Sequence, residues 1–134
     1  MTDQNAQANA LEEAERGNEA LTEARVLWEN ALYSGAVSRA YYAAFHWARA
    51  LLVMQGIEAK THRGVIQLIS LHFVKTNRLS RESVSLLGQL ETNRELSDYR
   101  PAAKFSREDA QQAIADAESF LAECRALVPF LKDV

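Results

Sequence analysis

The apolar residues of this chain recur every three or four positions over five separate stretches, and that spacing constrains the fold more than any other feature. A period near 3.6 gathers side chains on one face of an α-helix, whereas a half-buried strand needs strict alternation. The first stripe is Leu11, Ala14, Leu21, Ala24, Trp28 and Ala31. Gly17 and Asn18 weaken its first half, and Gly35 is the first clear punctuation after it. Before it, residues 1–9 (MTDQNAQAN) have almost nothing to bury and are expected to form a disordered tail. Only five glycines and two prolines interrupt 134 residues, which suits long helices.

The second helix is expected from Ala36 to Gln55, with Gly56 as its stop. Ala40, Ala44, Trp47, Ala48 and Leu51 make one face, while Arg39, Tyr42, His46 and Arg49 lie opposite. Thr61 suits the N-cap of a third helix that buries Val65, Leu68, Ile69 and Phe73 and ends near Lys75. Ser80 is the candidate cap of a fourth, carrying Val84, Leu87, Leu90, Arg94 and Asp98, which Pro101 should close near Tyr99. Ser106-Arg107-Glu108-Asp109 reads as a capping box with Asp in the Glu position. Ala110, Ile114, Ala117, Leu121, Cys124 and Val128 continue the fifth helix up to Pro129. The fold class is therefore all-α, an up-and-down bundle of about five helices in one domain over residues 10–131.

Composition narrows the function classes. A formal net charge of −3 argues against a generally basic nucleic-acid coat but permits a local basic patch. The single cysteine, Cys124, cannot form an internal bridge and sits on an apolar stripe, so a reducing, cytoplasmic setting is expected. No stretch reaches the roughly 18 apolar residues that cross a bilayer, so no membrane association is expected. His46, His62 and His72 fall on different elements, with no His-Glu-x-x-His and no Cys pair, so neither metal nor cofactor is implied.

Two constellations carry possible chemistry. Arg39, Tyr42, His46 and Arg49 form a mixed aromatic and basic stripe, which suits either a phosphate or a partner surface. Arg94 and Asp98 are four residues apart and share the face that carries Leu87 and Leu90 into the bundle. A charge on such a face must be paired or lie at an open end. The pair either locks the helix end or lines a polar cleft with Tyr99. Arg78, Arg81, Arg100, Lys104 and Arg107 flank this stretch and supply positive charge.

The string Ser38-Arg39-Ala40-Tyr41-Tyr42-Ala43-Ala44-Phe45-His46-Trp47-Ala48-Arg49, together with Lys60-Thr61-His62-Arg63-Gly64-Val65 and Arg94 through Tyr99, resembles the HEPN domain family. The resemblance spans roughly residues 10–128 and is greatest to small stand-alone prokaryotic members. It implies a dimerising helical bundle, often a metal-independent ribonuclease and often a toxin encoded beside a minimal nucleotidyltransferase antitoxin. In that family an Arg holds the scissile phosphate and a His, separated from it by four to six residues, moves protons, with a nearby Tyr nucleotidylated by the partner. Arg94 matches the motif Arg, but Tyr99, Arg100 and Pro101 occupy the positions where the His belongs. Arg39 and His46 satisfy the same spacing on the wrong helix.

The resemblance leads to the expectation of an RNA- or nucleotide-binding homodimer. Its site is Arg94, Asp98 and Tyr99, with Arg39, Tyr42, His46, His62 and Arg100 as binding residues. Metal-independent endoribonuclease activity is one form this takes. The alternatives are a non-catalytic module that binds a nucleotidyltransferase or a second copy, and a nucleotide or phosphate held near His62 at the start of the third helix.

Overall fold

The computed structural model describes residues 3–100 and 104–134. The described residues form five α-helices: α1 (Asp3–Glu29), α2 (Tyr33–Met54), α3 (His62–Ile69), α4 (Arg81–Tyr99) and α5 (Arg107–Leu127). A π-helical turn, Ser70–Val74, extends α3, and a 3₁₀ turn, Pro129–Leu131, follows α5. The all-α bundle expected from the sequence is the fold.

Three helix starts follow the local chemistry read from the sequence. The Thr61 hydroxyl accepts from the Gly64 N–H at 2.9 Å, and the Ser80 hydroxyl accepts from the Ser83 N–H at 3.2 Å. Ser106 and Asp109 form a reciprocal box, with N–H donation to Asp109 Oδ2 at 2.9 Å and to Ser106 Oγ at 3.0 Å. Each bond satisfies an N–H that the first helical turn leaves without a partner. Ser106→Ala is expected to lower the unfolding free energy by about 1 kcal/mol in urea titration. The helix α4 ends at Tyr99 as expected, while Pro101 lies outside the described residues.

Three local expectations are corrected. The chain is already helical at Asp3, and Ala6 and Ala10 are buried, so residues 3–9 belong to α1 rather than to a disordered tail. Gly35 lies inside α2, not between helices; a Cβ there would approach Leu27 Cδ1 to 3.2 Å. The turn is made instead at Ala31, whose φ of 62° is left-handed. Gly17 and Asn18 do not weaken α1 but form its crossing with α2. A Cβ on Gly17 would stand 2.5 Å from Trp47 Cδ1 and 2.9 Å from the Ala43 carbonyl oxygen. Asn18 Oδ1 accepts from Trp47 Nε1 at 3.0 Å and from Arg125 Nη2 at 2.9 Å.

The helix α2 is the axis of the bundle and packs against each of the other four helices. Its alanines at 36, 40, 43, 44, 48 and 50 are buried and let neighbouring helices approach closely. Ser34 meets Ser97 while Tyr41 meets Arg94, so α2 and α4 run antiparallel. Arg25 pairs with Glu118 at 2.6 Å and Arg125 reaches Asn18, so α1 and α5 do likewise. Cys124 is fully buried, and burial pushes its thiol well above the ordinary value, as befits a small core hydrophobe. No helix among the described residues is long and apolar enough to cross a membrane.

Candidate functional site

Arg94 is the one buried basic residue among the described residues, only 4% exposed. It sits where the apolar face of α4, after Leu87 and Leu90, turns toward Tyr41 of α2. Its Nη2 donates to Glu91 Oε1 at 2.6 Å, and its Nη1 lies 3.5 Å from Asp98 Oδ2. The guanidinium carbon stands 5.5 Å from the Tyr41 ring centre and 5.6 Å from that of Tyr99. Burial works against the Arg94 charge, but the hydrogen bond and charge of Glu91 outweigh it, and the pKa rises above the ordinary arginine value. Arg94 is therefore a permanent cation at neutral pH. Two atoms of this pair are buried without a hydrogen-bond partner, Arg94 Nε and Glu91 Oε2.

Beside it, α3 begins with His62, whose Nδ1 is 2.6 Å from the Tyr41 hydroxyl. The imidazole is enclosed by aromatic rings, with centroid distances of 5.5 Å to Tyr41, 6.0 Å to Tyr42 and 4.8 Å to Phe45. Tyr41 is fully buried; burial first, and the charge of Glu91 second, raise its hydroxyl above the usual phenol range. Between α3 and α4 runs a groove of about 380 Å³ lined by His62, Arg63, Gln67, Glu91, Arg94 and Glu95 among others.

The structure thus brings together Arg94, Asp98, Tyr99, Tyr42 and His62 of the expected site residues. Tyr99 is 72% exposed at the end of α4, and Asp98 is the more distant of the two carboxylates on Arg94. Arg39 joins through Tyr42, with its guanidinium 4.6 Å from that ring while also pairing with Glu23 at 3.4 Å. His46 is placed apart, on the α1 side. Its Nδ1 bonds Glu13 Oε2 at 2.8 Å, and Arg49 stands 3.6 Å from the other carboxylate oxygen. Burial pushes the Glu13 carboxyl up, but His46 and Arg49 more than offset that and leave it below its ordinary value. The mixed stripe of α2 is therefore split: Tyr42 faces the Arg94 side, Arg39 bridges from its ring to Glu23 of α1, and His46 and Arg49 close onto α1. Arg100 is exposed at the C-cap of α4.

Sequence reasoning missed Tyr41 and Glu91. Glu91 was within reach, since it lies three residues before Arg94 and so on the same face. Tyr41 had no local signal; only packing of α2 on α4 makes it the floor shared by Arg94 and His62.

Residues 11–127 match the HEPN domain, and the chain belongs to that family. It is 32% identical over 117 residues to a UPF0332 protein of Thermotoga maritima, covering 87% of this chain and 89% of that one. It is 37% identical over 107 residues to a candidate toxin of Methanocaldococcus jannaschii, covering 80% and 79%. A UPF0332 protein of Gloeobacter violaceus is 38% identical over 108 residues, covering 80% and 86%.

Proposed function

We propose that this chain is the toxin-type member of a two-protein pair, an RNA- or nucleotide-binding homodimer whose phosphate site is the Arg94 groove. The observation that carries this reading is a permanent guanidinium at the groove wall with one buried donor, Nε, still without an acceptor. A phosphate oxygen satisfies such a donor and takes the charge-assisted bond that arginine geometry favours. Arg39 and Tyr42 extend the site with a cation and a ring on which a base can stack. The name of the Methanocaldococcus relative supports the toxin assignment. By the family resemblance, the partner is a nucleotidyltransferase antitoxin and its target is the exposed Tyr99 hydroxyl. Metal-independent RNA cleavage at this groove requires, besides the guanidinium, a group that moves a proton.

Binding of a labelled single-stranded RNA, measured by anisotropy across salt concentrations, tests the reading. Affinity is expected to fall linearly on a log–log plot as salt rises, because phosphate contacts release counterions. Arg94→Ala, confirmed folded by its melting curve, should weaken binding by about tenfold or more and flatten the slope by about one. Binding unaffected by both salt and the substitution would remove the phosphate site.

The second reading, a non-catalytic interaction module, is favoured by one observation: Leu96 and Tyr99 are both exposed in the last turn of α4. It predicts that Leu96→Asp abolishes self-association or partner capture while leaving RNA affinity alone.

A further inference from the structure

We propose that His62 is the proton-transferring group of the Arg94 groove, with Tyr41 and Glu91 as its positioning residues. This rests on the reading of the groove as an RNA site.

His62 is fixed more firmly than a surface histidine needs to be. The Thr61 cap anchors the helix start that carries it. Tyr41, Tyr42 and Phe45 enclose its ring, and the Tyr41 hydroxyl holds Nδ1. Among the described residues, no group bonds its Nε2. A ring oriented through one nitrogen and open at the other is the arrangement used by a histidine that exchanges protons with a ligand.

The positioning extends one residue further. Tyr41 has one hydroxyl proton and two neighbouring acceptor groups, His62 Nδ1 and the Glu91 carboxylate. When that proton turns to the carboxylate, the phenol oxygen accepts from His62 Nδ1–H. The basic lone pair of the imidazole is then on Nε2. This one arrangement gives the phenol proton and the Nδ1 proton an acceptor each. Tyr41 stays protonated throughout, because burial and the nearby carboxylate oppose its ionisation. It therefore relays orientation without itself acting as a base. Arg94 lies over the same Tyr41 ring, so the cation and the imidazole flank a single side chain and line a single groove.

The reaction this pair supports is transesterification within RNA. The imidazole takes the proton of a ribose 2′-hydroxyl as O2′ bonds to phosphorus. It returns that proton to O5′ as the P–O5′ bond breaks. The products are a 2′,3′-cyclic phosphate and a free 5′-hydroxyl, and no water, metal or oxidant is consumed. Arg94 meets the charge that gathers on the phosphoryl oxygens. The titratable and charged groups facing His62 are Tyr41 and Tyr42 from α2, Glu91, Arg94 and Glu95 from α4, and Arg63 beside it on α3.

The test uses the full chain in EDTA with a labelled single-stranded RNA of mixed sequence, and the same sequence in 2′-deoxy form. Wild type should cut only the RNA and leave cyclic phosphate ends. His62→Gln should bind within about twofold of wild type yet cleave at least about 100-fold more slowly. His62→Ala should regain rate when imidazole is added, which separates lost chemistry from lost folding. Tyr41→Phe should keep binding and displace the pH–rate profile. Wild-type cleavage by His62→Gln, or RNA binding by wild type without cleavage, overturns the proposal but leaves the phosphate site standing. No RNA binding by wild type removes both. A Tyr41→Phe profile superimposable on wild type removes the positioning role of Tyr41.

Discussion

Trp47→Ala is expected to lower the unfolding free energy by about 4 kcal/mol, read from urea titrations followed by far-UV circular dichroism. Trp47 is fully buried in the middle of α2, the helix against which all the others pack. Its ring fills the notch that Gly17 leaves on α1, a space too small for even one added methyl without movement. Its Nε1 donates to Asn18 Oδ1, and the Arg125 guanidinium lies 4.7 Å from its ring centre. Arg125 in turn bonds Asn18 Oδ1 and the Val134 carbonyl, so the indole is the keystone between α1, α5 and the C-terminal turn. Truncation opens a large cavity in a core whose alanine-rich helices have little side-chain volume with which to refill it. Gly17→Ala meets the same contact from the other side and should cost about 2 kcal/mol by overpacking. The two changes touch each other, so the double variant should be less destabilised than their sum. A loss under about 1 kcal/mol for Trp47→Ala would show that the helices close the gap by sliding.

The secondary structure was legible where its signal was local. Thr61, Ser80 and the Ser106–Asp109 box were readable because a cap acts within three residues of itself. The period of three and four then placed Val65, Ile69, Phe73, Leu87 and Leu90 inside. The errors share one cause. Gly17, Asn18 and Gly35 look like helix breakers in isolation, yet each sits where another side chain needs the room or the bond. The site divides the same way. Arg94 and Asp98 could be paired by spacing, but Asp98 lies near the exposed end of α4 and Glu91 lies one turn inward. Burial therefore gives the shorter bond, 2.6 Å, to Glu91. That His62 belongs with Arg94 while His46 belongs with Glu13 depends on which neighbours α2 meets on each side. One helix read alone contains no such information.

Glu91→Leu is expected to cost about 3 kcal/mol, because it leaves the guanidinium of Arg94 buried without its main counter-charge. Asp98→Asn should cost less than about 1 kcal/mol. Its carboxylate is nearly one-third exposed, stands 3.5 Å away, and is screened by solvent. The contrast between the two makes the pair informative, since both remove one negative charge from the same cation. It also bears on function. Glu91 occupies one of the places a phosphate would take on Arg94, Nη2, so the substitution exposes an anion site at the expense of the fold. Added inorganic phosphate should therefore raise the melting temperature of Glu91→Leu more than that of wild type, by mass action on the folded state alone. Equal shifts in the two proteins would mean that phosphate reaches Arg94 without contending with Glu91. A loss below about 1 kcal/mol for Glu91→Leu would mean that Asp98 and entering water already balance the charge. In that case the groove is wetter, and Arg94 freer to turn toward a ligand, than its 4% exposure indicates.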